Sequence, residues 1–384
     1  MTSEEVEGDD PLAMLDAYDF ELPPASIAHS PARERDSARL LVLDRSTGRI
    51  LASDPDHRVR NLPSWLRSGD LLVRNATRVR SARLVGEKST GGMAEALLLG
   101  PTDAPDRSKA SGSGAGLHYR VLLKCTGRPR VGLSLSFGPN LELAASVVEL
   151  HERGEVTLCF ESEVDPHAFG NAPLPPYIQR SNRDSDDEDL ERYQTIYARE
   201  PGAIAAPTAG LHFSEGLFHD LRESGVGVVE VVLHVGAGTF RPLDAKSLST
   251  GRLHEEDFVL PEATVEAIEK TRACRGRVIA IGTTTARVLE SQVQDNGRLR
   301  AGSGKTELFI RPGGPPFRIV DGLITNFHLP RSSLLLLVAE FAGRRRLLDA
   351  YDHAIAEGFR FYSYGDAMLI LDAEGKKLDE GEAR

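Results

Sequence analysis

Cysteine is scarce in this chain. Cys125, Cys159 and Cys274 each stand alone, with no CxxC pair and no Cys/His spacing of a metal site. That pattern excludes a disulfide framework, a structural zinc and an iron–sulfur cluster, so a protein without a bound metal is expected. Aromatic residues make up only 6%, with Trp65 the single tryptophan, so no broad platform for stacking bases is visible. Long apolar runs are missing too. The densest, Leu334–Ala339, is stopped by Glu340, far short of the roughly 20 residues a membrane span needs. The N-terminus, MTSEEVEGDD, has no basic and no apolar stretch, so it does not read as a secretory signal. A soluble, cytoplasmic monomer is expected.

What is present in excess is acid. The 384 residues carry a formal charge of −11, which argues at first against a nucleic-acid partner. The charge is concentrated, however. Residues 1–10 hold five acids and no base, Ser181–Glu191 six acids against one arginine, and Asp372–Arg384 five acids against three bases. The remainder of the chain is left at +1. All three segments are poor in apolar residues and are expected to be solvated or disordered, so nucleic acid is not excluded.

Texture changes along the chain. From about Gly69 to Glu163 short β-type runs (DLLVRN, RVRSARLVGEK, AEALLLG, LHYRVLLK, LSLSFG, LELAASVVEL, EVTLCFE) alternate with Gly-rich turns, which predicts an all-β barrel or sandwich. Glu152-Arg153-Gly154 reads as a tight hairpin, and Pro101–Gly116 as a mobile Gly/Ser-rich loop. After Pro173 strands alternate with helices. Strands are expected at Val226–Val235, Arg277–Ile281, Phe317–Phe327 and Ala367–Leu371, and helices after Pro261, after Gly282, near Ser332–Ala342 and near Arg345–Glu357. The expected architecture is an α/β domain built from 12–68 and 164–371, with a mostly parallel sheet or barrel. A β-barrel domain, 69–163, is inserted into it, and polar ends, 1–11 and 372–384, flank the whole.

Three loops after apolar strands collect polar side chains: APTAGLHF with Thr208 and His212, LHVGAGTFR with His234, Gly236, Gly238, Thr239 and Arg241, and ITNFHLP with Asn326 and His328. Strand ends are where α/β folds build sites, although each histidine alone is equally a hydrogen-bonded structural residue. Gly236-Ala237-Gly238 and Gly282-Thr283-Thr284 are candidates to bring backbone amides close to a ligand, or are simple turns. Arg74, Arg78 and Arg80 are spaced by even numbers and share a face if the strand is continuous. Such a stripe suits phosphate contacts, or else protects an edge strand.

These stretches carry a resemblance. YDFELPPASIAH, GDLLVRNATRVRSARL, LPPYIQR, RYQTIYAREPGAIAAPTAGLHF, LHVGAGTFRPL, VIAIGTTTARVLES, DGLITNFHLPRSSLLLLVAEFAG and RFYSYGDAMLI, in this order, resemble the S-adenosylmethionine:tRNA ribosyltransferase-isomerase family of the queuosine pathway. The resemblance implies a β-barrel inserted into an α/β domain, and no prosthetic group. It also implies transfer and isomerisation of the ribosyl part of S-adenosylmethionine onto a 7-aminomethyl-7-deazaguanine at the wobble position of tRNA, with adenine and methionine released.

That chemistry needs a base for the ribose carbon beside the sulfonium and an acid for departing adenine. His212, His234 and His254 are candidates because imidazole titrates near neutrality, with the carboxylates Glu200 and Glu256 beside them. Thr208, Gly236, Gly238, Thr239, Thr283, Thr284, Asn326, His328 and Asp366 are candidate substrate binders. Arg241 is suited to a carboxylate or phosphate. For tRNA the candidates are Arg74, Arg78, Arg80, Tyr177 and Arg180. The chain departs from the family pattern at Ala76, at Met93 and at Gly251, where a histidine is usual. Two other readings compete: an S-adenosylmethionine-dependent methyltransferase using the Val235-Gly-Ala-Gly turn, and a tRNA-binding relative without activity.

Overall fold

The computed structural model describes residues 12–103, 116–175, 177–178, 186–236, 238 and 243–373. The acidic N-terminus, most of the Pro101–Gly116 loop and nearly all of the C-terminal tail lie outside the described residues. In chain order the strands are β1 (Leu40–Asp44), β2 (Ile50–Ala52), β3 (Leu71–Asn75), β4 (Thr77–Val79), β5 (Arg83–Lys88), β6 (Met93–Pro101), β7 (Leu117–Cys125), β8 (Ser134–Phe137), β9 (Leu143–Leu150), β10 (Glu155–Phe160), β11 (Glu200–Ala203), β12 (Gly227–Leu233), β13 (Arg252–Leu260), β14 (Val278–Ile281), β15 (Gly302–Leu308), β16 (Gly322–Asn326) and β17 (Ala367–Leu371). The helices are α1 (Asp186–Arg192), α2 (Glu215–Glu223), α3 (Ala245–Thr250), α4 (Glu262–Ala273), α5 (Thr283–Ser291), α6 (Ser333–Ala342) and α7 (Arg344–Ala356).

Nine strands form one mixed sheet in the order β15-β13-β12-β3-β14-β16-β17-β1-β2. Its centre, β12, β3, β14 and β16, is parallel throughout. These strands are almost unbroken apolar runs because both faces are covered. Leu71, Val73, Val278 and Ala280 face one cluster shared with Val288 of α5, Leu336 of α6 and Tyr351 of α7. Leu72, Ile279 and Ile281 face the other, with Phe213 and with Leu217, Phe218 and Leu221 of α2. The alternation along β3 is the period of two that a pleated strand imposes.

The second unit is a closed antiparallel barrel, β10-β7-β6-β5-β8-β9. Ala94, Ala96 and Leu98 of β6 and Tyr119, Val121 and Leu123 of β7 fill its interior, while closure removes exposed strand edges. At Gly86 a Cβ would strike the Ser136 carbonyl of β8, so only glycine lets β5 turn this corner.

Three expectations are corrected. The insert was expected from residue 69, but β3 lies at the centre of the large sheet and β4 pairs with β11 in a separate two-stranded sheet. Short β-type runs look alike in either unit; only the unbroken LLV of β3 marks a strand covered on both faces. The strand expected over Phe317–Phe327 is confined to β16, because the amides of Arg318, Ile319 and Val320 donate to the Glu290 carboxylate and not to a neighbouring strand. The acidic run expected to be solvated contributes α1, with Asp189 buried.

Candidate active site

The four parallel strands end side by side, and the loops leaving their carboxyl ends carry the polar side chains. β3 ends at Asn75, β12 before His234, β14 before Gly282-Thr283-Thr284, and β16 at Asn326. Asn75 is buried and works as an extra rung between strand ends. Its Nδ2 donates to the Leu233 carbonyl at 3.0 Å and to Thr284 Oγ1 at 3.3 Å. Its Oδ1 accepts from the amides of Leu233 at 3.0 Å and Thr77 at 3.1 Å. Leu233 is thus tied to β3, and the next amide, that of His234, donates to the Asp257 carbonyl of β13 at 2.9 Å.

The His234 ring is held as firmly as its backbone. Thr77 Oγ1 lies 2.8 Å from Nδ1 and 3.5 Å from the Glu200 carbonyl. Gly202 of β11 packs against the ring: a Cβ there would sit 2.5 Å from Nδ1. His234 is half-buried, which pushes its pKa below 6.5, while the carboxylates of Asp257 and Glu200 oppose the shift. The imidazole is therefore neutral at pH 7, the form that accepts a proton. Glu200 itself is exposed and close enough to act on this ring through its charge.

Glu256 is committed elsewhere. It is buried, forms an ion pair with Arg287 of α5 and accepts the Gly236 amide at 3.0 Å. Gly236 therefore gives its N–H to an internal acid, and the next described α-helix, α3, begins at Ala245. Gly282 does precede a helix, capping α5 with φ 89°. Thr283 is buried, and Thr284 is bonded to Asn75. His254 is exposed on β13 with its ring against Gly238. Thr239, Arg241 and Arg180 lie outside the described residues. Gly251, where the family has a histidine, caps α3 in the left-handed region at φ 65°, a conformation that favours glycine.

A second cluster lies at the end of β16. Asn326 accepts from Thr208 Oγ1 at 2.9 Å, and its Nδ2 reaches His212 Nε2 at 3.1 Å and the Tyr362 carbonyl at 3.2 Å. Burial pushes the His212 pKa down to about 4, against an opposing pull from Asp366, and the ring is only 4% exposed. His212, a catalytic candidate on sequence, is buried with its Nε2 against Asn326. His328 is likewise buried, its pKa pushed down to about 3 by desolvation alone, with Nε2 2.8 Å from Thr325 Oγ1. Asp366 was expected to bind substrate, yet its two oxygens accept the amides of Arg39 and Arg360.

The arginine stripe is dismantled by the chain turn at Ala76. Arg74 pairs with Glu230 at 2.6 Å and stacks over Tyr197 and Phe218 inside the α/β unit. Arg80 pairs with Asp165 at 2.7 Å, and Arg78 is exposed on β4. Tyr177 packs against Tyr362 with ring centroids 4.1 Å apart and the planes tilted by 46°, and its hydroxyl accepts the Ser363 amide. Among the described residues no cluster of three or more His, Cys, Asp or Glu side chains fits a metal ion, and no helix is long and apolar enough to cross a membrane. Sequence reasoning passed over Asn75, Thr77, Arg287 and Tyr362. Asn75 was signalled by ending an apolar run; Arg287 was not, since arginine on an amphipathic helix usually faces water.

The family model for queuosine biosynthesis proteins matches residues 15–370. A relative from Gloeobacter violaceus named S-adenosylmethionine:tRNA ribosyltransferase-isomerase is 49% identical over 368 residues, covering 94% of this chain and 97% of the relative. One of the same name from Syntrophotalea carbinolica is 45% identical, covering 93% and 99%. The crystal structure of an S-adenosylmethionine tRNA ribosyltransferase from Thermotoga maritima is similar with a TM-score of 0.51 at 34% identity, covering 92% of this chain and all of that one.

Proposed function

Because this chain belongs to the queuosine biosynthesis family, we propose that the ends of β3, β12 and β14 form its catalytic centre. The reaction moves the ribosyl part of S-adenosylmethionine onto the aminomethyl group of a 7-deazaguanine in tRNA and isomerises it to the epoxide, releasing adenine and methionine. The chemical problem is a carbon acid: the proton on the ribose carbon beside the sulfonium must be removed by a base that is unprotonated in the resting enzyme.

His234 meets that requirement. It is half-buried and neutral, and its Nδ1 is held by Thr77. With Thr77 donating towards the Glu200 carbonyl, its oxygen accepts from Nδ1–H, which leaves the Nε2 lone pair to take the proton. Glu200, exposed beside it, supplies negative charge for the sulfonium. Asn75 and Thr284 position this assembly, and Thr208, His212 and Asn326 form a buried brace under the adjoining loop. The partly exposed Tyr177–Tyr362 pair offers an aromatic contact for tRNA. The observation that carries this reading is the Thr77–His234 contact at the carboxyl edge of the parallel strands. We place the reaction in the cytoplasm, where tRNA and S-adenosylmethionine meet.

The test is incubation with S-adenosylmethionine and tRNA bearing the aminomethyl-deazaguanine, followed by mass spectrometry of nucleosides and small products. Adenine and methionine are expected in equal amounts. S-adenosylhomocysteine in their place would overturn the reading.

A further inference from the structure

Beyond the end of β12, a cavity of about 300 Å³ lies against Gly236, Arg287 and the first residues of α6, Ser333 and Leu334. It continues past His254 into a larger one of about 900 Å³ on the side of the barrel. Two independent features of the smaller cavity favour an anion. The first is Arg287, 6% exposed, whose Nε donates to the Leu308 carbonyl and whose Nη1 is held by Glu256. Its Nη2 is buried with no hydrogen-bond partner in the protein. A buried guanidinium donor left unpaired is costly, and a ligand oxygen would recover that cost.

The second is the start of α6. Ser332 caps this ten-residue helix, its Oγ accepting the Leu335 amide at 3.2 Å while its carbonyl takes that of Leu336. The Ser333 and Leu334 amides have no acceptor within the helix, and the helix dipole is positive here. The acids around the cavity are already matched to cations: Glu256 to Arg287, Glu255 to Lys305, and Asp244 to Arg153. An incoming carboxylate therefore meets donors and no unbalanced acid.

We propose that this cavity binds the α-carboxylate of the amino-acid end of S-adenosylmethionine, between Arg287 Nη2 and the α6 amides. The inference rests on the ribosyl-transfer reading and deepens it. The sulfonium and ribose then lie towards Gly236 and His234, two residues apart just past the end of β12. The methionine released by the reaction leaves from the same cavity.

Calorimetry on the full chain compares S-adenosylmethionine with its decarboxylated counterpart, which keeps the sulfonium, ribose and adenine. Wild type should bind the carboxylated compound tighter by about tenfold or more, the worth of a charge-assisted hydrogen bond. Ser333→Pro removes one amide where proline suits the helix, since Ser332 is already extended at ψ 154°. It should narrow that preference severalfold while leaving the decarboxylated compound unaffected. Arg287→Met with Glu256→Gln removes the buried pair together and should abolish the preference. Equal binding of both compounds by wild type, or variants that weaken both alike, would overturn the site. If adenine is still released while the preference is absent, the site falls and the functional reading stands. If neither compound binds although tRNA does, both fall.

Discussion

Replacing Thr77 by valine isolates one hydroxyl. Thr77 is fully buried, so valine, nearly its equal in volume, keeps the packing and deletes only the group that lies 2.8 Å from His234 Nδ1. Stability should fall by about 1–2 kcal/mol, the range for a buried hydrogen bond whose partner stays partly accessible to water. Catalysis should suffer more. Without the hydroxyl the His234 ring is free to rotate and to place its proton on Nε2, which disables the base. A loss of about 1.4–2.7 kcal/mol in the transition state is a 10–100-fold fall in kcat. KM should hold, since a residue with no exposed surface touches no substrate, and Thr77→Ser should restore most of the rate. The assay is steady-state adenine release from pH 5 to 9. His234 must be neutral to act, so wild-type activity is present above its folded pKa and is lost as pH falls through it. Burial places that acidic limb below 6.5. A Thr77→Val enzyme with a lowered melting temperature but kcat within about twofold of wild type would refute the reasoning.

Gly202→Ala adds a methyl 2.5 Å from His234 Nδ1 and should push the ring off Thr77, lowering kcat about as much as Thr77→Val does; an unchanged rate would show the ring position to be unimportant. The buried neutral histidines make the fold acid-sensitive. Unfolded imidazoles take up protons near pH 6.5 that His212 and His328 refuse until about 4 and about 3, so stability is full above 6.5 and falls as pH drops. Urea titrations between pH 6 and 5 should show about 1.4 kcal/mol per pH unit for each histidine, and His328→Gln should remove one such increment. Arg74→Ala should destabilise the chain by about 1–2 kcal/mol, because it leaves the part-buried Glu230 with the exposed Arg199 as its remaining partner and strips the stack on Tyr197 and Phe218. Arg78→Ala should leave the melting temperature unchanged, and in salt titrations of tRNA binding the slope should fall by about one phosphate contact.

Much of the α/β unit was legible because burial on two faces writes itself as unbroken apolar runs, as in VIAI of β14. The barrel was legible from alternation, as in Ala94, Ala96 and Leu98. The arginine stripe was misread for a specific reason. Even spacing places residues on one face only along an uninterrupted strand, and the chain leaves the large sheet at Ala76, whose amide still bonds to Val231 while Thr77 begins a different pairing. Within the site, the ends of the strands were found but not the direction of each side chain. Asn326 and His328 lie at the end of an apolar strand just as His234 does, while His212 closes a helical turn and Asp366 precedes β17, yet all four are buried and already bonded. No local pattern distinguishes a polar residue facing the cleft from one bracing the loop beneath it.

That difference has an electrostatic consequence for the site. The donor substrate is a sulfonium cation, and an imidazolium within a few ångströms would repel it in a medium where charges are poorly screened. His212, His234 and His328 all have their pKa pushed down by burial, so none carries a charge at pH 7. The two deeper rings gain nothing as bases from being neutral; their neutrality keeps the floor of the site free of positive charge while they brace Asn326 and the ITNFHLP loop. Of these three, His234 alone combines neutrality with partial exposure and with carboxylates, Asp257 and Glu200, near enough to raise its basicity again. Those same carboxylates favour the arriving sulfonium. On the proposed reading one arrangement serves both demands: the acids that attract the cation are also the ones that help the base accept its proton.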